Sequence, residues 1–378
     1  MKTSVSSLLL IEFPIFAFSH CRDVVAAVTN AGGLGVLGAV AHTPEDLEID
    51  LNWIDERVGG RPYGVDLLMP SKFEGAKEGG LERGDLRSKI PAGHTTFLEG
   101  LLEEHHVPPL PPRDPDAPKK AGLQVDPRSM APLIDIAFQH DIKLIASALG
   151  SPPQWLVDRA HERGMVVAAL AGTVEHARRH VEAGVDIVIA QGTEAGGHTG
   201  DISTLVLVPQ IVDEVAPVPV LAAGGIANGR QMAASIALGA AGVWTGSIWL
   251  STEESEATPA EKAKFLAATS GDTIRSRSMT GKPCRMLRSD WTEAWESDHA
   301  PKPLPMPLQS MLVHRYRERI ERAAGNSGTE AAELLSPFVG QVVGMMHSVK
   351  PARRVVYEMI EEFIEATERL NSVTLDDS

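Results

Sequence analysis

Short apolar stretches recur along the chain, and most are separated by segments with the spacing of amphipathic helices. The eight stretches lie at residues 11–17, 35–40, 63–68, 142–146, 166–170, 185–190, 218–222 and 242–245. Each is short enough for a strand, and its unbroken hydrophobicity is typical of a parallel strand that is covered on both faces. Eight alternating strand and helix units predict an α/β fold, a closed (β/α)8 TIM barrel, because a doubly wound sheet usually has fewer strands.

Two longer segments interrupt this alternation. Residues 71–130, between the third and fourth strands, are rich in Gly, Pro and charge, and they predict an excursion over the catalytic face that is partly a lid. Residues 251–346 contain helical patterns and a proline-rich linker, and they predict a smaller, mainly α-helical domain over the barrel mouth, on the substrate side. We therefore divide the chain into a barrel with the cofactor site at 1–250, this helical domain, and a C-terminal helix with an acidic tail at 347–378.

The N-terminal residues have a weak likeness to a signal peptide, because Lys2 is followed by apolar residues up to Phe18. Glu12 and Pro14 interrupt the apolar run, and no small-residue cleavage site follows. We interpret this segment as the first barrel strand. No apolar stretch reaches the roughly 20 residues that span a bilayer, so we expect no membrane association.

Composition restricts the partners and the compartment. The 378 residues carry a net charge of −15, which repels phosphate backbones, so nucleic-acid binding is not expected. The two cysteines, Cys21 and Cys284, make no disulfide framework and suit a reducing cytoplasm. They lack CxxC spacing, so a cysteine-based zinc site has no support. His94, His105 and His106 lie in the excursion without a second cluster of ligands, so we expect solvated loop residues and no metal site.

The segment at 190–200 (AQGTEAGGHTG) carries the strongest chemical signal. It follows the sixth strand, and the active sites of parallel barrels lie at the carboxyl ends of the strands. Its glycines let backbone N–H groups approach a ligand, and Gln191 offers an amide. We predict that His198 acts as a base or, when protonated, stabilises an anionic substrate. For Glu194 we expect a helix-start or salt-bridge role.

Glycine-rich turns also follow the seventh and eighth strands, where barrels often bind a phosphate. Gly224, Gly225 and Gly246 would let backbone N–H groups surround a dianion, and Thr245 and Ser247 would add hydroxyl donors. Close packing of helix against strand is the alternative reason for these glycines.

A phosphate at these turns suits a flavin mononucleotide (FMN) that lies across the barrel mouth. Gln191 would bond the pyrimidine edge of its ring, and the backbone from Ala17 to Ser19 would line the opposite side. Asp66, near the end of the third strand, lies at the same face of the barrel. A sugar phosphate would also fit the phosphate site, so a flavin-free barrel that binds a phosphorylated metabolite stays an alternative.

Several motifs resemble the nitronate monooxygenase family, formerly called 2-nitropropane dioxygenases. They lie at residues 26–35 (AAVTNAGGLG), 191–200 (QGTEAGGHTG), 222–226 (AAGGI), 244–247 (WTGS), 280–285 (TGKPCR) and 339–344 (VGQVVG). The resemblance covers most of the chain except residues 71–130. It implies an FMN-containing TIM barrel with a small helical domain, which oxidises alkyl nitronates with O2 through one-electron transfer to the flavin.

The resemblance also implies roles for particular residues. His198 matches the active-site histidine of the family, and Gln341 falls in a motif near the cofactor or substrate. The flavin contacts of the family fall on Gln191, Gly196, Gly225, Trp244, Thr245, Gly246 and Ser247.

Two positions depart from the family pattern. The family commonly has an Ala-Pro-Met turn after the first strand, where this chain has Ala17, Phe18 and Ser19. The family also has an Asn after the third strand that contacts the flavin, and this chain has Asp66 at that position. An ionised carboxylate would repel an electron-rich reduced flavin, which leaves the protonation and role of Asp66 open.

The resemblance leaves two enzyme activities open. We expect an FMN-dependent monooxygenase that acts on nitronates, or other small carbon acids, and O2. A sister group with the same barrel and a similar Gly-Gly-His motif reduces enoyl thioesters on acyl carrier protein with NAD(P)H. An acidic carrier needs a basic patch. Candidates for that patch are Arg275, Arg277, Lys282, Arg285 and Arg288. The sequence also leaves open whether the chain forms a homodimer.

Overall fold

Eight parallel strands close into a barrel in the computed structural model, which describes residues 1–69, 83–112 and 127–374. The first barrel strand pairs with both the second and the eighth, which confirms the predicted TIM barrel. A short strand, β7, lies outside it. In chain order the strands are β1 (Ile15–Ser19), β2 (Leu34–Gly38), β3 (Gly64–Leu68), β4 (Leu144–Ala148), β5 (Val166–Ala171), β6 (Ile187–Gln191), β7 (Gly197–His198), β8 (Val220–Ala223) and β9 (Gly242–Thr245).

Helices surround the barrel and fill the segments that interrupt the strand and helix alternation. The described helices are α1 (Ser4–Leu9), α2 (Arg22–Asn30), α3 (Pro44–Val58), α4 (Arg83–Ser88), α5 (Ala92–Glu104), α6 (Pro127–Ala137), α7 (Gln154–His161), α8 (Val174–Glu182), α9 (Thr204–Val215), α10 (Gly229–Ala237), α11 (Pro259–Ala267), α12 (Asp290–Glu296), α13 (Leu308–Ala323) and α14 (Ala352–Thr374). Among them, α4 and α5 belong to the predicted excursion, and α11 to α13 lie between residues 251 and 346.

Local sequence signals set the ends of these helices. Gly164, Gly184 and Gly239 have φ angles of 66°, 87° and 97°, a left-handed conformation that residues with a side chain rarely adopt. Each of these glycines lies between the end of a helix and the start of the next strand. At the amino-terminal ends, the hydroxyls of Thr43 and Thr173 accept hydrogen bonds from backbone N–H groups in the first turns of α3 and α8.

Alternate residues of the barrel strands fill the barrel interior. The inward-facing cluster includes Phe16, Leu34, Ile189 and Trp244, while the intervening residues pack against the outer helices. Helix α1 contributes Val5 and Leu9 to the inner cluster, Val5 being completely buried. The prediction that residues 11–17 begin the first strand is therefore wrong at its start: the chain first forms α1, and β1 begins at Ile15.

The excursion and the segment from 251 to 346 share one apolar core. Leu98 and Leu102 of α5 pack in the same cluster as Trp291 of α12 and Val313 of α13. This segment also contains strands β10 (Thr273–Ser276) and β11 (Cys284–Leu287), which form a three-stranded sheet with β7. The excursion thus packs onto the elements next to the barrel mouth.

Two histidines of the excursion are buried, although the sequence predicts that they are solvated loop residues. His94 is buried and its Nε2 lies 3.0 Å from the carbonyl oxygen of Lys302. His105 is also buried, with Nδ1 3.0 Å from the Leu101 carbonyl and Nε2 2.9 Å from an Asp290 carboxylate oxygen. Their hydrogen bonds tie α5 to the elements beside α12, because a buried imidazole needs partners for its nitrogens.

The C-terminal helix α14 packs against α10 and α2 on the outside of the barrel. Within the described residues, no helix has the length and hydrophobicity that a membrane span requires.

Candidate active site

His198 is held in a small antiparallel sheet above the barrel rim. Strand β7 pairs with β11 so that His198 lies opposite Cys284 and Gly197 lies opposite Arg285. The TGKPCR motif therefore supplies residues of the strand that pairs with the histidine. About 80 residues separate the two segments, and the sequence alone did not show that they are neighbours. The Arg285 guanidinium also donates to the Thr193 carbonyl oxygen at 2.9 Å, which fastens β11 to the turn after β6.

A hydrogen bond to Thr280 sets the tautomer of His198. The imidazole Nε2 lies 2.9 Å from the Thr280 hydroxyl oxygen. The same hydroxyl lies 3.2 Å from the Lys282 carbonyl oxygen, and we infer that it donates to this carbonyl and accepts from the histidine. Nε2 therefore carries the proton and Nδ1 carries the lone pair. Among the described residues, no group forms a hydrogen bond with Nδ1, which leaves it available to a bound molecule.

Burial lowers the pKa of His198 to about 4, and the positive charge of Lys282 contributes to the shift. The ring remains partly accessible to solvent although it lies deep among protein atoms, as expected for a group that lines a cleft. At neutral pH the imidazole is therefore uncharged and can accept a proton at Nδ1.

The turns after β8 and β9 present unpaired backbone donors. Gly224 and Gly225 have φ angles of 91° and 74°, and together with Gly246 they are partly exposed. Within the described part of the chain, the N–H groups of these three glycines have no hydrogen-bond acceptor. Ser247 accepts from the Gly340 N–H at 2.8 Å, and its own hydroxyl proton stays available. Such a set of donors can surround an anion.

Thr245 differs from its predicted role as a hydroxyl donor to a phosphate. Its hydroxyl donates to the Phe16 carbonyl oxygen at 3.1 Å and accepts from the Trp249 indole at 3.1 Å. Because inward and outward positions alternate along β9, Trp244 faces the barrel interior and Thr245 faces outward. The prediction for the Thr245 hydroxyl is therefore wrong.

The segment 339–341 packs across two of the glycine-rich turns. A side chain at Gly196 would place its Cβ 2.7 Å from the Val339 carbonyl carbon, so Gly196 permits a close backbone approach. The Gln341 N–H donates to the Glu194 carbonyl oxygen at 2.9 Å. This segment connects the turn after β6 to Ser247 and places Gln341 beside the candidate site.

Glu194 has the helix-start role that the sequence predicts. Its carboxylate accepts from the Thr204 N–H at 2.9 Å and from the Thr204 hydroxyl at 2.9 Å, at the first residue of α9. A carboxylate at this end of a helix is stabilised by unpaired N–H groups and by the helix dipole. Glu194 is therefore engaged in structure.

Asp66 and Gln191 face the barrel interior near the mouth. Val65 and Leu67, on either side of Asp66 in β3, pack against the outer helices, so Asp66 points inward. Gln191 also points inward, because it lies two residues after the inward-facing Ile189 of β6. Burial raises the pKa of Asp66 well above its ordinary value. Among the residues described, none forms a hydrogen bond with the side chain of Asp66 or of Gln191. The raised pKa favours the protonated form of Asp66, which has one donor and one acceptor.

Strand β1 contributes to the mouth through different residues from those predicted. Ala17 is completely buried in the barrel wall and packs in the cluster under the outer helices, so its prediction as a lining residue is wrong. Ser19 is partly exposed, and its hydroxyl accepts from the Cys21 N–H at 3.1 Å. Phe18 faces inward and stacks on Trp244 with ring centroids 6.2 Å apart.

The mouth has an apolar wall and a covering segment. Leu68 and Met306 form a cluster with partly buried Val40, Ala148 and Leu149. We name as the roof the residues 278–287, 304–306 and 339–341, which lie over the turns described above. A side chain at Gly281 would place its Cβ 2.1 Å from the Leu304 carbonyl oxygen, so these two segments of the roof pack tightly together.

Cation binding has no structural support in the part of the chain that the structure covers. There, no group of three or more His, Cys, Asp or Glu side chains is arranged to hold a metal ion.

Comparison with known proteins is consistent with this geometry. A profile of the nitronate monooxygenase family matches residues 2–362. The chain is 58% identical over 373 residues to a protein of Mycobacterium tuberculosis provisionally named monooxygenase Rv1533, with 99% of each chain covered. It is 30% identical over 345 residues to a probable nitronate monooxygenase of Staphylococcus saprophyticus, covering 87% of this chain and 89% of that protein.

Solved structures show the same fold over nearly the whole chain. Nitroalkane oxidase from Streptomyces ansochromogenes superposes with a TM-score of 0.78 at 27% identity, covering 97% of this chain and 99% of that one. FabK from Thermotoga maritima superposes with a TM-score of 0.70 at 26% identity, covering 99% of both chains. The chain therefore belongs to the nitronate monooxygenase family of oxidoreductases.

Proposed function

We propose that this protein is an FMN-dependent monooxygenase that oxidises alkyl nitronates and nitroalkanes with O2. The observation that carries the proposal is the set of unpaired N–H groups at Gly224, Gly225 and Gly246, on the same barrel mouth as His198. Backbone donors without a Cβ in the way suit a phosphate at the turns after the last two barrel strands. Ser247 would add a hydroxyl donor to the same anion.

The inward-facing polar residues fit the flavin ring. Gln191 offers an amide that has no partner among the described residues, and Asp66 in its protonated form offers one donor and one acceptor, as the Asn that it replaces in the family pattern would. Because burial favours the protonated form of Asp66, it reduces the repulsion of a reduced flavin that an ionised carboxylate would cause. Phe18 and Trp244 would form the aromatic floor of the site.

When bound, FMN would accept electrons from the substrate and pass them to O2. The chain's own task at the reacting centre would fall to His198, whose Nδ1 lone pair can take a proton from a carbon acid. Thr280 holds the imidazole in the required tautomer through the hydrogen bond at Nε2. The Lys282 charge lies near enough to lower the His198 pKa and would attract an anionic nitronate.

The apolar wall would receive the alkyl part of the substrate. Leu68 and Met306 are almost fully buried, while Val40, Ala148 and Leu149 remain partly accessible beside them. Burial of an alkyl group there would contribute about 0.8 kcal/mol per methylene. The roof segment with Met306 would therefore influence substrate size.

A visible spectrum followed by anaerobic titrations tests the proposal. We expect purified protein to contain or bind FMN, and we expect anaerobic addition of a nitronate to bleach the flavin more readily than addition of NADPH. A colourless protein that does not bind added FMN would overturn the proposal and favour the flavin-free barrel. Rapid bleaching by NADPH instead would favour the reduction of enoyl thioesters.

Three of the five basic residues that could form a carrier-protein patch are engaged within the chain. Arg275 pairs with Asp201, Arg277 donates to the Gly281 carbonyl oxygen, and Arg285 is buried with hydrogen bonds to Thr193 and Thr273. Because these guanidinium groups stabilise the roof, we favour the nitronate activity over the enoyl-thioester activity.

We also infer a cytoplasmic location, since Cys21 and Cys284 are both free and buried. The division into a barrel, a substrate-side domain at 251–346 and a C-terminal segment stays a prediction, as does the oligomeric state.

A further inference from the structure

A second histidine lies at the barrel mouth, on the β1 side. His20 directly follows β1, in which Phe16 and Phe18 face inward. Its ring fills the space that a side chain at Gly38 would occupy: a Cβ there would lie 2.7 Å from both Cε1 and Nδ1 of His20. Gly38 ends β2 and is paired in register with Asp66 of β3. The imidazole is therefore seated over the inner face of the barrel, near Asp66.

The backbone of Gly38 fixes the tautomer of His20. Its carbonyl oxygen lies 2.8 Å from Nδ1 and can only accept a hydrogen bond, so Nδ1 carries the proton. Nε2 then carries the lone pair. Burial lowers the pKa of His20, and the nearby His42 adds to that shift, which keeps the ring neutral. His42 itself is paired with Asp50 at 3.0 Å.

The acceptor nitrogen of His20 is available to a bound molecule. Among the described residues none forms a hydrogen bond with Nε2, and the side chain is solvent-accessible although it lies deep among protein atoms. The ring contacts Phe18 edge-on, with centroids 5.2 Å apart and an interplanar angle of 78°. Phe18 stacks in turn on Trp244, so His20 extends the aromatic floor of the site.

We propose that His20 determines substrate specificity, its Nε2 accepting a hydrogen bond from a hydroxyl group on the substrate. This inference rests on the proposed function and names the substrate class: small nitronates that carry a hydroxyl besides the nitronate group. A site with a polar acceptor discriminates against an analogue that lacks the donor, because the acceptor then loses its water without gaining a partner. The neutral, fixed tautomer makes His20 an acceptor and not a donor.

Two nitronates of nearly equal shape test the inference. The nitronates of 2-nitroethanol and 1-nitropropane differ by a hydroxyl in place of a methyl group. We expect the holoenzyme to prefer the hydroxylated nitronate by about tenfold in kcat/KM, the value of one hydrogen bond to an uncharged acceptor. In His20→Phe, which keeps an aromatic ring over Gly38, the ratio of kcat/KM for the two nitronates should fall to about one, because the hydrogen-bond acceptor is gone.

A matched substitution controls for the loss of a histidine elsewhere. His161 lies at the end of α7 and pairs with Asp186, away from the mouth, so His161→Phe should keep the tenfold preference. If His20→Phe does not fold, His20→Leu replaces it with the same expectation.

Three outcomes separate the two proposals. Equal kcat/KM for both nitronates in the wild type overturns the inference and leaves the proposed function standing. A tenfold preference that survives in His20→Phe also overturns it. No oxidation of either nitronate by the flavin-loaded wild type overturns the proposed function and this inference with it.

Discussion

The barrel rim and the roof contribute to the candidate site by different means. The turns after β8 and β9 offer backbone N–H groups whose positions follow from the strands just before them. The roof instead fixes a side chain: β11 and Thr280, from 80 or more residues further along the chain, hold His198 in one place and one tautomer. The rim is thus built from local chain geometry, and the reactive nitrogen depends on long-range packing. Variants of each region should therefore fail in different ways.

The largest effect is expected where the two regions meet, at His198. His198→Ala should retain FMN and lose nitroalkane turnover by about 100-fold or more, because it removes the acceptor for the carbon-bound proton and leaves the rim intact. Steady-state kinetics and the visible spectrum measure the two properties separately. His161→Ala serves as the control. Unchanged turnover in His198→Ala would remove the imidazole from the mechanism.

A rim variant should impair cofactor binding. Gly225→Ala places a side chain in a left-handed conformation and next to the unpaired N–H groups, so the Kd for FMN should rise about tenfold or more. Gly164→Ala is a matched control, since Gly164 has a similar φ of 66° and open space around it at the end of α7. Both variants should lose similar stability, about 1 kcal/mol. Equal FMN affinity in the two would argue against a phosphate at the rim.

A roof variant should impair turnover and leave the cofactor bound. Thr280→Val removes the acceptor for the His198 Nε2–H, and kcat should fall about five- to tenfold, the value of one neutral hydrogen bond. Thr280→Ser keeps the hydroxyl and should keep most activity. FMN affinity should not change in either variant. If Thr280→Ser is impaired as much as Thr280→Val, the methyl group and not the hydrogen bond matters.

The smallest effect concerns Asp66, on the inner wall between the two regions. Its pKa is raised in the folded protein, so the folded state holds the proton more tightly than the unfolded state does. Stability is then greatest below the ordinary pKa of 3.8 and declines as pH rises toward the folded pKa. Asp66→Asn should retain FMN and raise Tm relative to the wild type by about 2 °C or more at pH 8, and by less at pH 5.

The exposed Asp213 on α9 provides the control for this charge change. Asp213→Asn should change Tm little at either pH. A lower Tm for Asp66→Asn at pH 8 would show that the carboxylate is ionised and stabilised in the folded protein.

Much of the frame could be predicted because it depends on short-range patterns. Continuous apolar runs gave the eight strands, and glycines such as Gly164 and Gly239 marked the helix ends. The helix-start role of Glu194 could be expected from its charge. The errors lie where a pattern has two solutions. The apolar N-terminal residues suit a strand or a helix, and the sequence does not show whether Ala17 and Thr245 face the barrel interior or the outer helices.

His20 was missed for a related reason. Its signal was present in the sequence, since it continues the inward alternation of Phe16 and Phe18, but the alternation has meaning only when the strand position is known. The buried His94 and His105 were misjudged because no local pattern shows that α5 packs on α12 and α13.

By itself the sequence determined the barrel, the glycine-rich turns at its rim and the presence of an imidazole after the sixth strand. Only the tertiary structure decided which groups contact the imidazole of His198, that burial raises the pKa of Asp66 and that a second imidazole lies beside Gly38. Strands, caps and turns depend on neighbours within a few residues, which the sequence displays. A tautomer or a shifted pKa depends on groups brought together from distant segments, and only folding puts those groups within a hydrogen bond of each other.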